Sequence, residues 1–329
     1  MKKNRWKSYF SIFSFLFLLV ALFLAGCGSG ASETSGKENS KVVKVGFQKG
    51  NTLHILKETG FLEEALEEEG YEVQWEMFTH GGALLEGIYS GAIDFGHAAD
   101  GSGIFAQASG KPLVYVGADE PNPEGVGLLV LEDAGINTIE DLKGKKVAAL
   151  EGGNHHYLAI LALEEAGLSA DDVEWVYPED AGQGRIIFET GEVDALASYD
   201  PYLASAEVEL DTISFSEGKD YNYPNRTFYY STPDFAENQP ELVDLILETI
   251  DEADQWANDN NDEVVKLLSD SLGIDEEVIG KQISRRTFGA TEITQEILDR
   301  QQEQADKYYE TGLIPEPVDV SEVMPIEKE

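Results

Sequence analysis

The chain has 329 residues, with 63 Asp and Glu against 23 Lys and Arg, a formal net charge of −40 and a single Cys. Such a charge excludes a nucleic-acid surface, which needs clustered Lys and Arg to neutralise phosphates. One Cys excludes a disulfide framework, a thiolate zinc site and a CxxC redox pair. A 42% hydrophobic share supplies a core for one large domain or two ordinary ones.

The N-terminus reads as an address. Lys2, Lys3, Arg5 and Lys7 precede an uncharged, Phe- and Leu-rich stretch from Ser8 to Gly26, the layout of a secretory signal peptide. Leu24-Ala25-Gly26-Cys27 ends it, and this Cys is the only one in the chain. The tetrapeptide resembles the bacterial lipobox, which implies cleavage after residue 26 and a lipid on Cys27. The alternative is a plain membrane anchor, since about 19 uncharged residues just span a bilayer. Cleavage removes four basic residues and no acid, which leaves a mature charge of −44. Residues 28–41 are small and polar, a flexible tether.

From Lys41 the chain alternates short apolar runs with helical patterns, which predicts an α/β fold with mainly parallel strands. Strands are expected at 42–47, 71–78, 92–97, 113–116 and 126–131. Helices are expected from Thr52 to about Glu69, with a break near Gly60, and at 84–89 and 101–109. A short helix capped by Thr138 precedes a second round: strand 146–150, helix 155–166, strand 173–177, helix 185–190 and strand 193–197. The rounds overlay. Ser90-Gly91-Ala92-Ile93-Asp94 faces Thr190-Gly191-Glu192-Val193-Asp194, and Asp100 and Asp200 stand six residues beyond. Likewise Val45-Gly46-Phe47 leading to Gly50-Asn51 parallels Val147-Ala148-Ala149 leading to Gly153-Asn154. The pattern predicts a structural duplication. A strand at 227–231 follows, then helices: Leu242, Ile246, Ile250, Ala253 and Trp256 recur every three or four residues. Further helices are expected near 261–272, 275–285 and 293–311, with an extended tail from Pro315.

Ligands of parallel α/β sheets sit at the carboxyl ends of strands, beside helix N-termini. Gly50-Asn51-Thr52 and Gly152-Gly153-Asn154 put glycine and cap-forming residues there, where backbone amides and the helix dipole attract an anion. An ordinary N-cap explains each loop equally well. Asp100 and Asp200 are candidates for orienting a ligand or for capping, and Lys49 and Arg226 for local cations. Tyr199 and Tyr202 could pack on an apolar ligand part or on the core. Five histidines with no tract give no zinc-capture pattern. GxSxG, HExxH and P-loop signatures are missing too, so the residues read as a binder.

Five segments together carry a resemblance: Val45 to Asn51, Ile93 to His97, Asp141 to Val147, Gly152 to Tyr157 and Asp200-Pro201-Tyr202. They resemble the aliphatic sulfonate-binding proteins, substrate-binding lipoproteins of ABC importers related to the taurine, nitrate and thiamine-precursor binders. The likeness covers about residues 42–310. It implies a type II periplasmic-binding-protein fold, with residues 42–130 and 228–329 in one lobe, 131–227 in the other and the ligand cleft between them. It also implies a pocket drawn from Gln48, Asn51, His97, Asp100, Gly153, Asn154, His155, His156 and Asp200, with no cofactor and no catalysis. The implied partners are an alkanesulfonate-like anion, a membrane ABC permease and, through acylated Cys27, the extracytoplasmic face of the bilayer. Two alternatives remain at this stage. One is a taurine, nitrate or pyrimidine-precursor binder. The other is an enzyme of this fold that makes the thiamine pyrimidine, against which the lone Cys27 and export both argue.

Overall fold

A computed structural model describes residues 41–326. The expected signal peptide, Cys27 and most of the tether lie outside the described residues. The first half runs β1 (Lys41–Gln48), α1 (Thr52–Thr59), α2 (Phe61–Glu68), β2 (Tyr71–Phe78), α3 (Gly81–Tyr89), β3 (Phe95–Ala99), α4 (Asp100–Ala108) and β4 (Val114–Asp119). After a crossing come β5 (Val126–Leu131), β6 (Lys146–Ala148), α5 (Asn154–Glu165), β7 (Glu174–Val176), α6 (Ala181–Glu189), β8 (Ala195–Tyr199), α7 (Tyr202–Glu209) and β9 (Thr212–Glu217). The chain then returns through β10 (Thr227–Ser231), α8 (Pro233–Asn238), α9 (Pro240–Asp259), α10 (Asn261–Leu272), α11 (Glu276–Ser284), β11 (Ala290–Thr291) and α12 (Gln295–Glu310).

These strands form two sheets, ordered β11-β4-β10-β3-β1-β2 and β7-β6-β8-β5-β9. Read outward from β2 and from β7, the two orders match, with β10 and β5 as the fourth strands. Each of these enters its sheet from a crossing and runs antiparallel to its neighbours. The expectation of mainly parallel sheets is therefore corrected: β1, β2 and β3 are parallel, as are β6, β7 and β8, while every other pairing is antiparallel. The first crossing falls at 120–125, so β5 pairs in the second sheet although a boundary at 130 would leave most of it in the first lobe. Helix α7, which carries no strong periodicity, and strand β9, where Ile213 and Phe215 alternate with polar residues, are additions to the sequence reading.

The repeat is present in the backbone down to single hydrogen bonds. Gly91 and Gly191 both turn at φ near 70°, which favours glycine. The Asp94 carboxylate accepts from Lys44 N–H at 2.9 Å, and that of Asp194 from Lys146 N–H at 2.9 Å. The loop alignment shifts by one residue from the sequence reading. Gly50 corresponds to Gly152, not Gly153: both have positive φ, and each donates its N–H to the Nδ1 of the histidine four residues on, His54 or His156, at 3.1 Å.

Local chemistry explains the elements. In β1, Val43, Val45 and Phe47 are buried, and at Gly46 a Cβ would stand 2.4 Å from the tip of the Ile93 side chain, so any larger residue would push Ile93 aside. Gly60, at φ 77°, separates α1 from α2. Helix α9 buries Leu242, Ile246, Ile250 and Ala253 against β1, Phe95 and Tyr229. The tail is not merely extended. Val320 and Met324 are buried in the first-lobe core, and Tyr115 N–H donates to Val323 O at 2.9 Å.

Candidate ligand cleft

A cleft of about 480 Å³ opens where the carboxyl ends of both sheets face each other. From the first lobe it is lined by Gln48, Asn51, Gly81, Gly82, Ser102, Thr227, Gln282 and Arg286, and from the second by Gly152, Gly153, Asn154, His155, Tyr199 and Asp200. Leu85, Tyr89, Phe105 and Tyr177 supply apolar wall.

Three helices present their first turns to it. Asn51 is the N-cap of α1 yet makes no side-chain cap bond, and its Oδ1 is buried without a partner. Helix α3 begins at Gly81 and Gly82, behind His80, whose Nδ1 accepts from Ala83 N–H at 3.3 Å. Helix α5 begins at Asn154 after Gly153, again with no side-chain cap bond. First-turn amides lack intrahelical partners, and the dipole adds partial positive charge.

Two full positive charges line the cleft: Lys111, whose Nζ lies 5.0 Å over the Tyr89 ring, and Arg286, the buried one. Its Nη2 lies 3.2 Å from Thr52 Oγ1 and 3.4 Å from Asp119 Oδ2, its guanidinium sits 4.3 Å over Phe288, and its Nε is buried with no partner. Asp119 is itself buried and also accepts from the Tyr229 hydroxyl. Burial pushes the Asp119 carboxyl up, and Arg286 pulls it back.

Of the residues named from the sequence, Gln48, Asn51, Gly153, Asn154, His155 and Asp200 face the cleft, whereas His97, Asp100 and His156 do not. His97 is fully buried beneath Gln48. Its Nε2 accepts from Gln48 N–H at 3.3 Å, and its carbonyl accepts from the Gln48 amide at 3.0 Å. Burial pushes His97 down to about 3, so the ring is neutral at ordinary pH. His156 supports Gly152 from below and is likewise pushed down by burial, to about 4. His155 accepts from Leu150 N–H at 2.8 Å, and its ring lies tilted at 39° to that of Tyr199 with centroids 5.1 Å apart. Burial takes it down to about 3.

Asp100 points away from the cleft, into a second cavity of about 100 Å³. It accepts from Gly101 N–H and the Tyr223 hydroxyl, both at 2.6 Å, and burial pushes it up to about 6. Arg226 borders that second cavity, and its Nη1 donates to Asp119 O at 2.6 Å, so it is not a cleft cation; Lys49 does not line the cleft either.

The geometry is matched by relatedness. Residues 57–264 fit the family model described as NMT1/THI5 like. A relative from Escherichia coli (strain K12), named for aliphatic sulfonate binding, is 34% identical over 306 residues, covering 92% of this chain and 94% of its own. This chain belongs to the NMT1/THI5-like family.

Among solved structures, the periplasmic aliphatic sulphonate binding protein SsuA from Escherichia coli superposes with a TM-score of 0.79 at 32% identity, over 88% of this chain and 92% of that one. The alkanesulfonate-binding protein SsuA from Xanthomonas axonopodis pv. citri bound to MOPS gives 0.82 at 27% identity, over 87% and 98%. The two-lobed periplasmic-binding-protein fold expected from the sequence is thus the fold of this NMT1/THI5-like chain. Among the described residues, no group of three or more His, Cys, Asp or Glu could hold a metal ion, and no helix is long and apolar enough to cross a membrane.

Sequence reasoning missed Arg286, Gln282 and Thr227 because they come from the returning segment, far along the chain from the repeated loops. One signal was available. Arg285-Arg286 is the only Arg-Arg step in a chain of net charge −40.

Proposed function

We propose that the protein is the extracytoplasmic substrate-binding component of an ABC importer, capturing an alkanesulfonate-like anion in its cleft and handing it to a membrane permease. Arg286 carries this reading: a buried guanidinium with an unpaired Nε, set among the N-termini of three helices, two of which lack a side-chain cap. A sulfonate offers three acceptor oxygens and one spread charge, which suits a planar donor plus backbone amides. Closure removes water around the anion, and these dipoles then act in a lower dielectric. Gln48, Asn51 and Asn154 add neutral donors, and the apolar stretch at Leu85, Tyr89 and Phe105 suits a short alkyl chain.

The names of the relatives support a binder rather than an enzyme. Anchoring through acylated Cys27 is part of the proposal and rests on the lipobox-like tetrapeptide. Taurine, nitrate and a pyrimidine precursor remain the competing ligands of the same cleft.

A thermal-shift screen tests the ligand. The panel holds ethane-, butane- and morpholinopropanesulfonate, taurine, sulfate, nitrate, hydroxymethylpyrimidine and Zn²⁺. A ligand at about 1,000 times its Kd stabilises the folded state by about 4 kcal/mol, a shift of several degrees. Shifts with alkanesulfonates support the reading. A shift with nitrate, pyrimidine or Zn²⁺ alone keeps the receptor and replaces its substrate. Intact-mass analysis of membrane fractions tests the lipid, and an unmodified Cys27 thiol would remove that part.

A further inference from the structure

We infer that Arg285, which does not line the cleft, is a positioning residue for capture: a latch from the first lobe that holds the second lobe closed over the ligand. Arg285 caps the C-terminal end of α11, a helix packed through Ile279 and Ile283 against Ile55 of α1. Its guanidinium leaves that lobe. Nη1 donates to Glu124 O in the first crossing at 3.1 Å. Nη2 donates to Glu207 Oε2 on α7 at 2.6 Å, and Nε faces Asp200 Oδ2, beyond the end of β8, at 3.3 Å. One side chain therefore ties the first lobe to the crossing and to two acids of the second lobe.

The seam is nearly dry. The side chains of Arg285, Asp200 and Glu207 are 8%, 5% and 11% exposed. A charge pair at that depth is worth keeping intact, because removing one partner leaves the other charge buried and unpaired. The geometry sharpens this. Helix α11 points its C-terminal end, the negative end of its dipole, toward Asp200 and Glu207. Without Arg285 the cations left near these acids are Arg286, which pairs with Asp119, and Lys281, whose Nζ is 3.4 Å from Glu207 and whose side chain is 42% exposed. Arg285 turns a repelling seam into an attracting one.

Its neighbour in sequence completes the device. Arg286 faces the cleft and Arg285 faces the seam, so a single peptide bond connects the ligand cation to the closure contact. Asp200, which also lines the cleft, is held from behind by Arg285 and by Ala204 N–H at 3.0 Å. Closure thus sets a wall residue as well as shutting the mouth.

The test uses the full chain with Cys27→Ser and spin labels on E68C and E165C, exposed positions on α2 and α5. Distances between labels are measured with and without butanesulfonate, and its association and dissociation rates by stopped flow. For R285Q we expect a larger open population in both states and dissociation faster by about tenfold, with association unchanged. R285K should recover part of both effects. A merely structural role would lower the melting temperature and leave distances and dissociation alone. Wild-type distances and dissociation in folded R285Q would overturn the latch. Should R285Q fail to fold, E207Q removes the opposite partner and must show the same direction of change. A wild-type chain that binds no sulfonate counts against the proposed function, and the ligand-free distances still decide the latch.

Discussion

Asp100 and Asp200 are the same residue twice, each standing where the third strand of a repeat ends and each hydrogen-bonded to the opposite crossing. Asp100 N–H donates to Arg226 O in the second crossing at 3.2 Å, and Asp200 N–H to Gly125 O in the first at 3.1 Å. Both then reach C-terminal segments of the first lobe. Asp100 meets Gln304 of α12, and Asp200 meets Arg285 beyond α11. Their shared place is the seam between lobes, and only Asp200 also reaches the cleft.

Arg286→Gln should weaken alkanesulfonate binding by about two orders of magnitude, since a charge-assisted contact is worth roughly 1.5–3 kcal/mol. It should also destabilise the fold, because Asp119 loses its counter-ion. Arg286→Lys keeps the charge and loses the planar fork. Calorimetry should place it between wild type and Arg286→Gln in affinity, with most of the stability restored. Equal affinity in all three would take Arg286 out of the site.

Two glycines give opposite predictions. At Gly101 a Cβ would lie 2.1 Å from Gly152 O of the other lobe and 2.4 Å from the buried Tyr308 hydroxyl, so Gly101→Ala should lower affinity by an order of magnitude or more and also lower the melting temperature. At Gly280, inside α11, a Cβ meets nothing within 4 Å. Gly280→Ala should therefore stabilise the protein by up to about 1 kcal/mol. Unfolding curves and ligand titrations on both variants check the contrast, and normal affinity in Gly101→Ala would argue against a tight seam.

Acid should erode what the buried imidazoles contribute to stability. His54, His97, His155 and His156 are all held down by burial, to between about 3 and about 4. Their stabilisation is complete above the unfolded value of 6.5 and is lost as pH falls toward the folded values, at about 2 kcal/mol each by pH 5. Asp100 and Asp200 act oppositely. Burial raises them to about 6 and about 7, so their contribution is full below 3.8 and fades as pH rises through those values. Burial raises Asp119 and Asp254 as well, so four carboxyls oppose the four imidazoles. The imidazole part is read by difference: between pH 7.5 and 5.0, His156→Gln should lose about 2 kcal/mol less stability than wild type in urea unfolding at constant salt, and an equal change in both would contradict the account.

The twin carboxylates Asp94 and Asp194 offer a test of the repeat. Each accepts a strand N–H in the same register, so Asp94→Ala and Asp194→Ala should each cost about 1 kcal/mol. The partly buried Asp94 is expected to cost more than the exposed Asp194. A null effect at both positions in chemical unfolding would show the shared contact to be energetically idle.

The order of elements was legible because it depends on local pattern. Alternation in Tyr71–Phe78, the three-and-four spacing of Leu242 to Trp256, and Gly60 between α1 and α2 each act over a few residues. The duplicated Gly-Asp turns were legible for the same reason. The resemblance then extended the reading to Gln48, Asn51 and the Gly153 loop at the cleft. His97 and His156 looked like pocket residues because their neighbours in sequence are. A strand end and a helix start point successive side chains in different directions, and these two point inward.

What the sequence alone determined is the two-round α/β plan and which strand-to-helix turns carry open amides, since both follow from short-range periodicity and capping. The fold alone decided how distant parts meet. β5 and β10 exchange between the halves, the returning segment brings Arg286 to the cleft, and Arg285 reaches Asp200 across 85 residues of chain. No local rule specifies such pairs, because their energy comes from desolvating charges that become neighbours only when both lobes are built and closed.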